Sequence, residues 1–466
     1  MIKRSNRVYW AAAVSVTLLI SSFLVYSLLA GDKSEFLLGE TTHGHFQIEL
    51  ACESCHSDAF SGEKAMQKAC ESCHAAELKR ADDSHPKKKF LDPRNADRLE
   101  QLDALQCKTC HREHKPGITG DMGVTLPIDY CFRCHEDIAE DRESHAGLKF
   151  DSCASAGCHN YHDNKALYED FLVKHGVGEL TKSHPVVLER DYAELFRQLS
   201  KQPVKALSAG EHDAPQNLVE AKAIEEWQAS GHADAGVNCS ACHYLKDEDT
   251  NQKQWLRKPD HTACESCHSP ELEGFTQGRH GMRLAQEMSP MKVSMAKIAM
   301  KEKAHNKELN CQSCHGGHSY ETKKAAVDAC MSCHDDEHTK NFKDSPHYDQ
   351  WVKAQHGDID ESQGVSCATC HLPRMEGEFK GETVTRVQHN QNDNLRPNEK
   401  MIRSVCMNCH GLGFSIDSLA DQALIKSNFI GQPKVHISSI EWALKRDKEK
   451  KEKDRLKREL GLSEDE

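Results

Sequence analysis

Little in this chain of 466 residues suits an ordinary apolar interior: hydrophobic residues make up 38% of it and aromatic ones 6%. A chain of that length usually folds as two or three domains, each needing a core of its own. Basic residues are also short, 60 Lys and Arg against 73 Asp and Glu, for a formal charge of −13. That excludes general nucleic-acid binding, which needs a basic surface to displace counterions from phosphates. Alternating apolar and polar runs are sparse throughout, which excludes a fold built on sheets. What the chain has instead is 22 cysteines and 30 histidines. The imbalance points to a bound prosthetic group, rather than side chains, filling the interior.

One long uncharged run exists, from Val8 to Ala30, preceded by Lys3, Arg4 and Arg7. At 1.5 Å per residue it spans a bilayer core of about 30 Å. It is too long for the apolar region of a cleaved signal, and Leu28 stands where a small residue would precede a cleavage site. The expectation is a single uncleaved anchor in a bacterial cytoplasmic membrane. Residues 1–30 then form the cytoplasmic N-terminus and transmembrane helix, and everything from Gly31 onward is periplasmic.

In an oxidising compartment 22 cysteines would ordinarily form disulfides, but their spacing says otherwise. Ten pairs are CxxC: Cys52 and Cys55, Cys70 and Cys73, Cys107 and Cys110, Cys131 and Cys134, Cys239 and Cys242, Cys264 and Cys267, Cys311 and Cys314, Cys330 and Cys333, Cys367 and Cys370, Cys406 and Cys409. The eleventh, Cys153 and Cys158, has four intervening residues. Every second cysteine is followed by histidine: His56, His74, His111, His135, His159, His243, His268, His315, His334, His371 and His410. With 30 histidines in the chain, chance would produce that with a probability of roughly 10⁻¹³. Zinc ribbons and thioredoxin-like sites explain the cysteine pairs but not the histidines. CxxCH is the attachment site of c-type haem, the thiols bonding the vinyl groups and the histidine ligating the iron. Eleven covalent haems are expected, one per about 33 residues, close enough to form the core themselves.

Nineteen histidines remain for the second axial position. The favoured ones are His114, His162, His318 and His338, three or four residues past a motif histidine, where a helical turn aims them at a neighbouring haem. His232, His280 and His356 join them through a shared pattern in which Trp227, Phe275 or Trp351 precedes the histidine by five positions. These seven, with the eleven motif histidines, form the expected metal-ligand set.

The longest cysteine-free interval within the haem region runs from His159 to Cys239 and separates five motifs from six. It yields a pentahaem domain over 31–200, a hexahaem domain over 201–430 and a charged tail over 431–466. Helices are expected at 215–230 and 191–200, and the tail from Trp442 reads as solvated. The fold class is mainly α with extensive irregular structure around a haem-filled core.

The N-terminal half, from HGHFQIELACESCH through SAGCHNYHDNKALYEDF, resembles class III cytochromes c, small bis-histidine electron carriers. Joined to one anchor, it is similar in layout to membrane-bound quinol-oxidising multihaem cytochromes. The C-terminal half, with GRHGMRLA, CQSCHGGH, CMSCHDDEH and CATCHLP, resembles the hydroxylamine oxidoreductase and multihaem nitrite reductase superfamily. That second resemblance implies a catalytic haem cross-linked to a C-terminal tyrosine, or one ligated by lysine in CxxCK. No tyrosine follows Tyr348, and all eleven motifs end in histidine.

The function expected is electron relay, from the quinone pool or a quinol-oxidising membrane complex to a periplasmic redox partner. The alternative is an oxidoreductase acting on a small nitrogen or sulfur oxyspecies at a five-coordinate haem in the C-terminal half. Asp335, Asp336 and His338 would then supply protons.

Overall fold

The computed structural model describes residues 2–29, 33–56, 63–81, 85, 87–120, 123–142, 145, 149–152, 161–162, 167–185, 188, 204–246, 253–379, 381–395 and 400–460. The described residues are mainly helical, in short pieces, with two small hairpins. Its contacts divide into two compact units, Met1–Cys70 with Gln106–Leu126, and Glu71–Leu105 with Pro127–Glu466. The domain boundary expected near residue 200, and the helix expected at 191–200, lie outside the described residues.

The first helix is Ile2–Leu29, within which Val8–Leu29 has a mean hydropathy of 2.1 and is almost wholly exposed. It is long and apolar enough to cross a membrane. In the same unit Glu113 ties the chain together, accepting hydrogen bonds from Thr42 N at 2.7 Å, Thr42 Oγ1 at 2.9 Å and His45 Nδ1 at 2.6 Å. Burial alone would raise the Glu113 carboxyl, but these donors hold it down at about 2.

In the second unit a conventional apolar cluster gathers Leu167, Leu172, Ile402, Leu412, Ile416 and Ile440. Each such side chain, fully buried, contributes about 1.5–3 kcal/mol. Ile440 and Ala443 belong to the helix Ser439–Glu459, so the first turns of the expected solvated tail are core. Their apolar residues sit four positions or fewer apart before the charged run begins at Lys445, and Arg446 reaches Glu169 at 3.1 Å.

The helix expected at 215–230 is shorter, Ala221–Gln228. Pro215 closes a separate turn through Leu218 N, and Leu218 is exposed, whereas Trp227 is buried and donates its Nε1–H to Val237 O at 2.9 Å. Two antiparallel hairpins were not expected. In the first, β1 (Tyr244–Lys246) pairs with β2 (Lys253–Trp255), Tyr244 opposite Trp255. In the second, β3 (Arg374–Phe379) pairs with β4 (Glu382–Val387), Arg374 opposite Val387, with Gly381 at φ +87° in the turn. Both hairpins begin within three residues of a motif histidine.

Candidate haem centres

Each CxxCH segment folds into about one helical turn. The histidine N–H closes it by donating to the first cysteine's carbonyl, as in His111 to Cys107 at 2.9 Å and His410 to Cys406 at 2.8 Å. Both thiols, at positions i and i+3, thereby share a face. Local capping starts several turns: Ser366 and Thr369 exchange bonds before Cys367, and Asn310 and Ser313 do so before Cys311. The twenty described motif cysteines are all free thiols. Among the described residues no group of three or more His, Cys, Asp and Glu is placed to hold a metal ion. Cys153, Cys158 and His159 lie outside the described residues.

Among the described residues seven motif histidines face a second histidine. The ring centroids are 6.1 Å apart for His135 and His85, 6.0 Å for His243 and His318, and 6.1 Å for His268 and His232. They are 6.3 Å apart for His315 and His389, and 6.2 Å for His334 and His280. The last two pairs, His371 with His338 and His410 with His347, are at 6.1 and 6.2 Å. One iron bonded to two opposed imidazoles, with bonds of about 2 Å and each centroid about 1.1 Å beyond its nitrogen, requires about 6.2 Å. Direct ring contact would be closer than that. The residues present therefore fit haem iron between them.

The outer ring nitrogens show which atom faces inward. His243 Nδ1 meets Leu256 O at 2.6 Å, His338 Nδ1 meets Ile425 O at 2.6 Å, and His85 Nδ1 meets Tyr161 O at 2.5 Å. His389 Nδ1 meets Val387 O at 2.9 Å and His410 Nδ1 meets Leu180 O at 3.2 Å. A carbonyl only accepts, so Nδ1 carries the proton and Nε2 keeps its lone pair for a metal. Burial, reinforced by the facing imidazole, pushes His280, His347 and His371 down to about 4. These rings are neutral at physiological pH, the form that ligates iron.

Scarce aromatics brace the imidazoles. Trp255 of β2 stacks on His243 at 4.8 Å and 12°, and Tyr161 stacks on His85 at 4.1 Å and 13°. Tyr320 stands edge-on to His232 at 4.4 Å. The two hairpins serve the same end: β2 returns Leu256 O and Trp255 to His243, while β4 delivers His389 opposite His315. Gly411, directly after His410, lets the Leu180 carbonyl approach, since a Cβ there would lie 2.4 Å from Glu179 O.

Of the expected second ligands, His232, His280, His318 and His338 stand opposite motif histidines. His114 is half-buried at φ +59°, its Nδ1 on Gly39 O at 2.7 Å, and His162 lies edge-on to Tyr161 at 5.1 Å. His111 bonds Gly123 O at 3.1 Å, His56 is exposed, and His74 lies 3.5 Å from Glu77. His356 is exposed at the end of the helix Pro346–His356, while His347 at its start faces His410. The helices before His232 and His280 end at Gln228 and Gln277, so those histidines follow the point where the chain turns back. The third helix runs through to His356 and stops at Gly357, φ +77°, pointing that histidine outward. His85, His347 and His389 were not singled out from the sequence. In the sequence a proline follows His85, and Pro346 before His347 begins the helix Pro346–His356, whereas His389 carries no local signal.

Asp335 and Asp336 have structural partners. Asp335 pairs with Lys340 at 3.0 Å, and Asp336 caps the helix Glu337–Asn341 through Thr339 N at 3.0 Å. His338 faces His371, and Asp336 also lies 3.8 Å from His334 Nδ1.

The cytochrome c3 family model matches two stretches of the chain, residues 44–136 and 231–335. No curated protein and no solved structure matches it. Both stretches are thus similar to multihaem c-type cytochromes. The second falls in the half that resembles the hydroxylamine oxidoreductase superfamily, and that resemblance has no counterpart among the matches.

Proposed function

We propose that this chain is a membrane-anchored relay carrying eleven c-type haems, which passes electrons from the quinone pool or a quinol-oxidising membrane complex to a periplasmic acceptor. The observation that carries the reading is the set of seven imidazole pairs at 6.0 to 6.3 Å. In each pair, two histidines would hold iron from both faces, with the preceding cysteine pair holding the macrocycle. Haem so held supplies one-electron Fe(III)/Fe(II) chemistry. The chain's own residues do the rest: paired imidazoles keep small molecules off the metal, and backbone carbonyls on Nδ1 fix the rings. No acid or base is required. The helix containing Val8–Leu29 would anchor the relay beside its donor.

The test uses inner membranes carrying the full chain. The protein is expected to resist a carbonate wash, to show a low-spin ferric spectrum, and to be reduced by added quinol. Recovery in the soluble periplasm overturns the anchor. A predominantly high-spin spectrum overturns the relay in favour of substrate chemistry at iron.

A further inference from the structure

We infer that the six attachment segments from Cys239 to His410 lie in single file in chain order, so that electrons crossing this half pass from each segment to the next between its Cys239–His243 and Cys406–His410 ends. The inference rests on the relay reading for the presence of haem, but its geometry comes from contacts between the segments themselves.

The thiols show the order. Cys242 lies within electrostatic reach of Cys264 and Cys267. Cys264 hydrogen-bonds Cys311. Cys314 lies within reach of Cys330 and Cys333, and Cys330 hydrogen-bonds Cys367. Cys370 in turn lies within reach of Cys406 and Cys409. Each of these links joins segments consecutive in the chain. First-cysteine to first-cysteine contacts alternate with links from the second cysteine of one segment to both cysteines of the next.

The histidines repeat the order. His371 is influenced by His334 and His280 of the preceding centre, and His347 of the last centre by His338 of the one before. Tyr320 sits where three consecutive segments meet, within reach of Cys242, Cys264 and Cys311. The connections explain the arrangement. The first cysteines of successive motifs here are only 19 to 47 residues apart, and helical turns and hairpins return the chain close to its starting point. A step along such a file oxidises one iron and reduces its neighbour by one electron, with no bond made or broken.

The test follows one centre by electron paramagnetic resonance during a redox titration of the full-length protein. The His243 and His318 planes are 13° apart, so this first centre gives the rhombic low-spin signal of near-parallel imidazoles. Loss of a rhombic component in His318→Met identifies it. His232→Met alters the second centre and is expected to shift the midpoint potential of that rhombic signal. His347→Met alters the sixth centre and is expected to leave it in place, because interactions between charges weaken with distance. Equal shifts from both variants, or a shift from His347→Met alone, overturn the single file. In the unaltered protein the relaxation of the rhombic signal is expected to respond to oxidation of the second centre and not of the sixth; the reverse also overturns it. Mass spectrometry separates the two readings: absence of haem at these segments defeats the relay, whereas haem present with the wrong neighbour pattern defeats only the file.

Discussion

His243 and His318 face each other in nearly parallel planes, 13° apart, whereas His371 and His338 cross at 87° with almost the same centroid separation. The contrast follows from what holds the rings. His243 is clamped flat by Trp255 and by the Leu256 carbonyl, both delivered by one hairpin, while His338 is turned by Ile425 O from a distant helix.

The seven centres are therefore expected to be spectroscopically unequal. The planes cross at 82° for His135 with His85, 86° for His268 with His232 and 87° for His371 with His338. Those three are expected to give the highly anisotropic low-spin signal of perpendicular imidazoles, and the His243 centre the rhombic one. Ferric electron paramagnetic resonance of the full chain checks this. A spectrum without the anisotropic class contradicts the ring geometry.

His347→Ala is expected to remove the second imidazole at His410 and to convert one centre to high spin, visible as a new high-spin absorption band of single-haem intensity. His356→Ala, on the same helix but exposed, is expected to leave the spectrum and stability unchanged, within about 0.5 kcal/mol as for surface substitutions generally. The opposite result would place the ligand at the other end of the helix.

Glu113→Gln is expected to destabilise the fold by about 1–3 kcal/mol at neutral pH, since it weakens three hydrogen bonds to a half-buried carboxylate. The carboxyl sits at about 2 against an ordinary 4.5, so its contribution is full above about 4.5 and is lost as pH falls toward 2. Thermal unfolding from pH 7 to pH 2.5 is expected to show the difference between native and variant proteins narrowing on acidification. A difference independent of pH removes the charge from the explanation.

Intact protein matured with covalent haem is expected to carry eleven additions by mass spectrometry. Replacing Cys153 and Cys158 together with Ala is expected to leave ten. Ten in the unaltered chain would show that the widened motif does not attach haem.

The attachment chemistry was legible in the sequence because it is local. Five consecutive residues suffice to make one turn with two thiols on one face and an imidazole beside them, and no distant contact can create or hide that pattern. The apolar helix is local in the same way, being a run long enough to span the hydrocarbon of a bilayer. The second imidazole is a different kind of property. His389 reaches His315 only because a hairpin folds back across the interval between them, and His347 faces His410 across 62 intervening residues. The aromatic pattern with Trp351 singled out His356, which the helix leaves exposed at its end, and not His347, which faces His410 from its start. Which histidine completes each pair is decided by where helices stop and hairpins return, and that depends on packing among segments far apart in the chain.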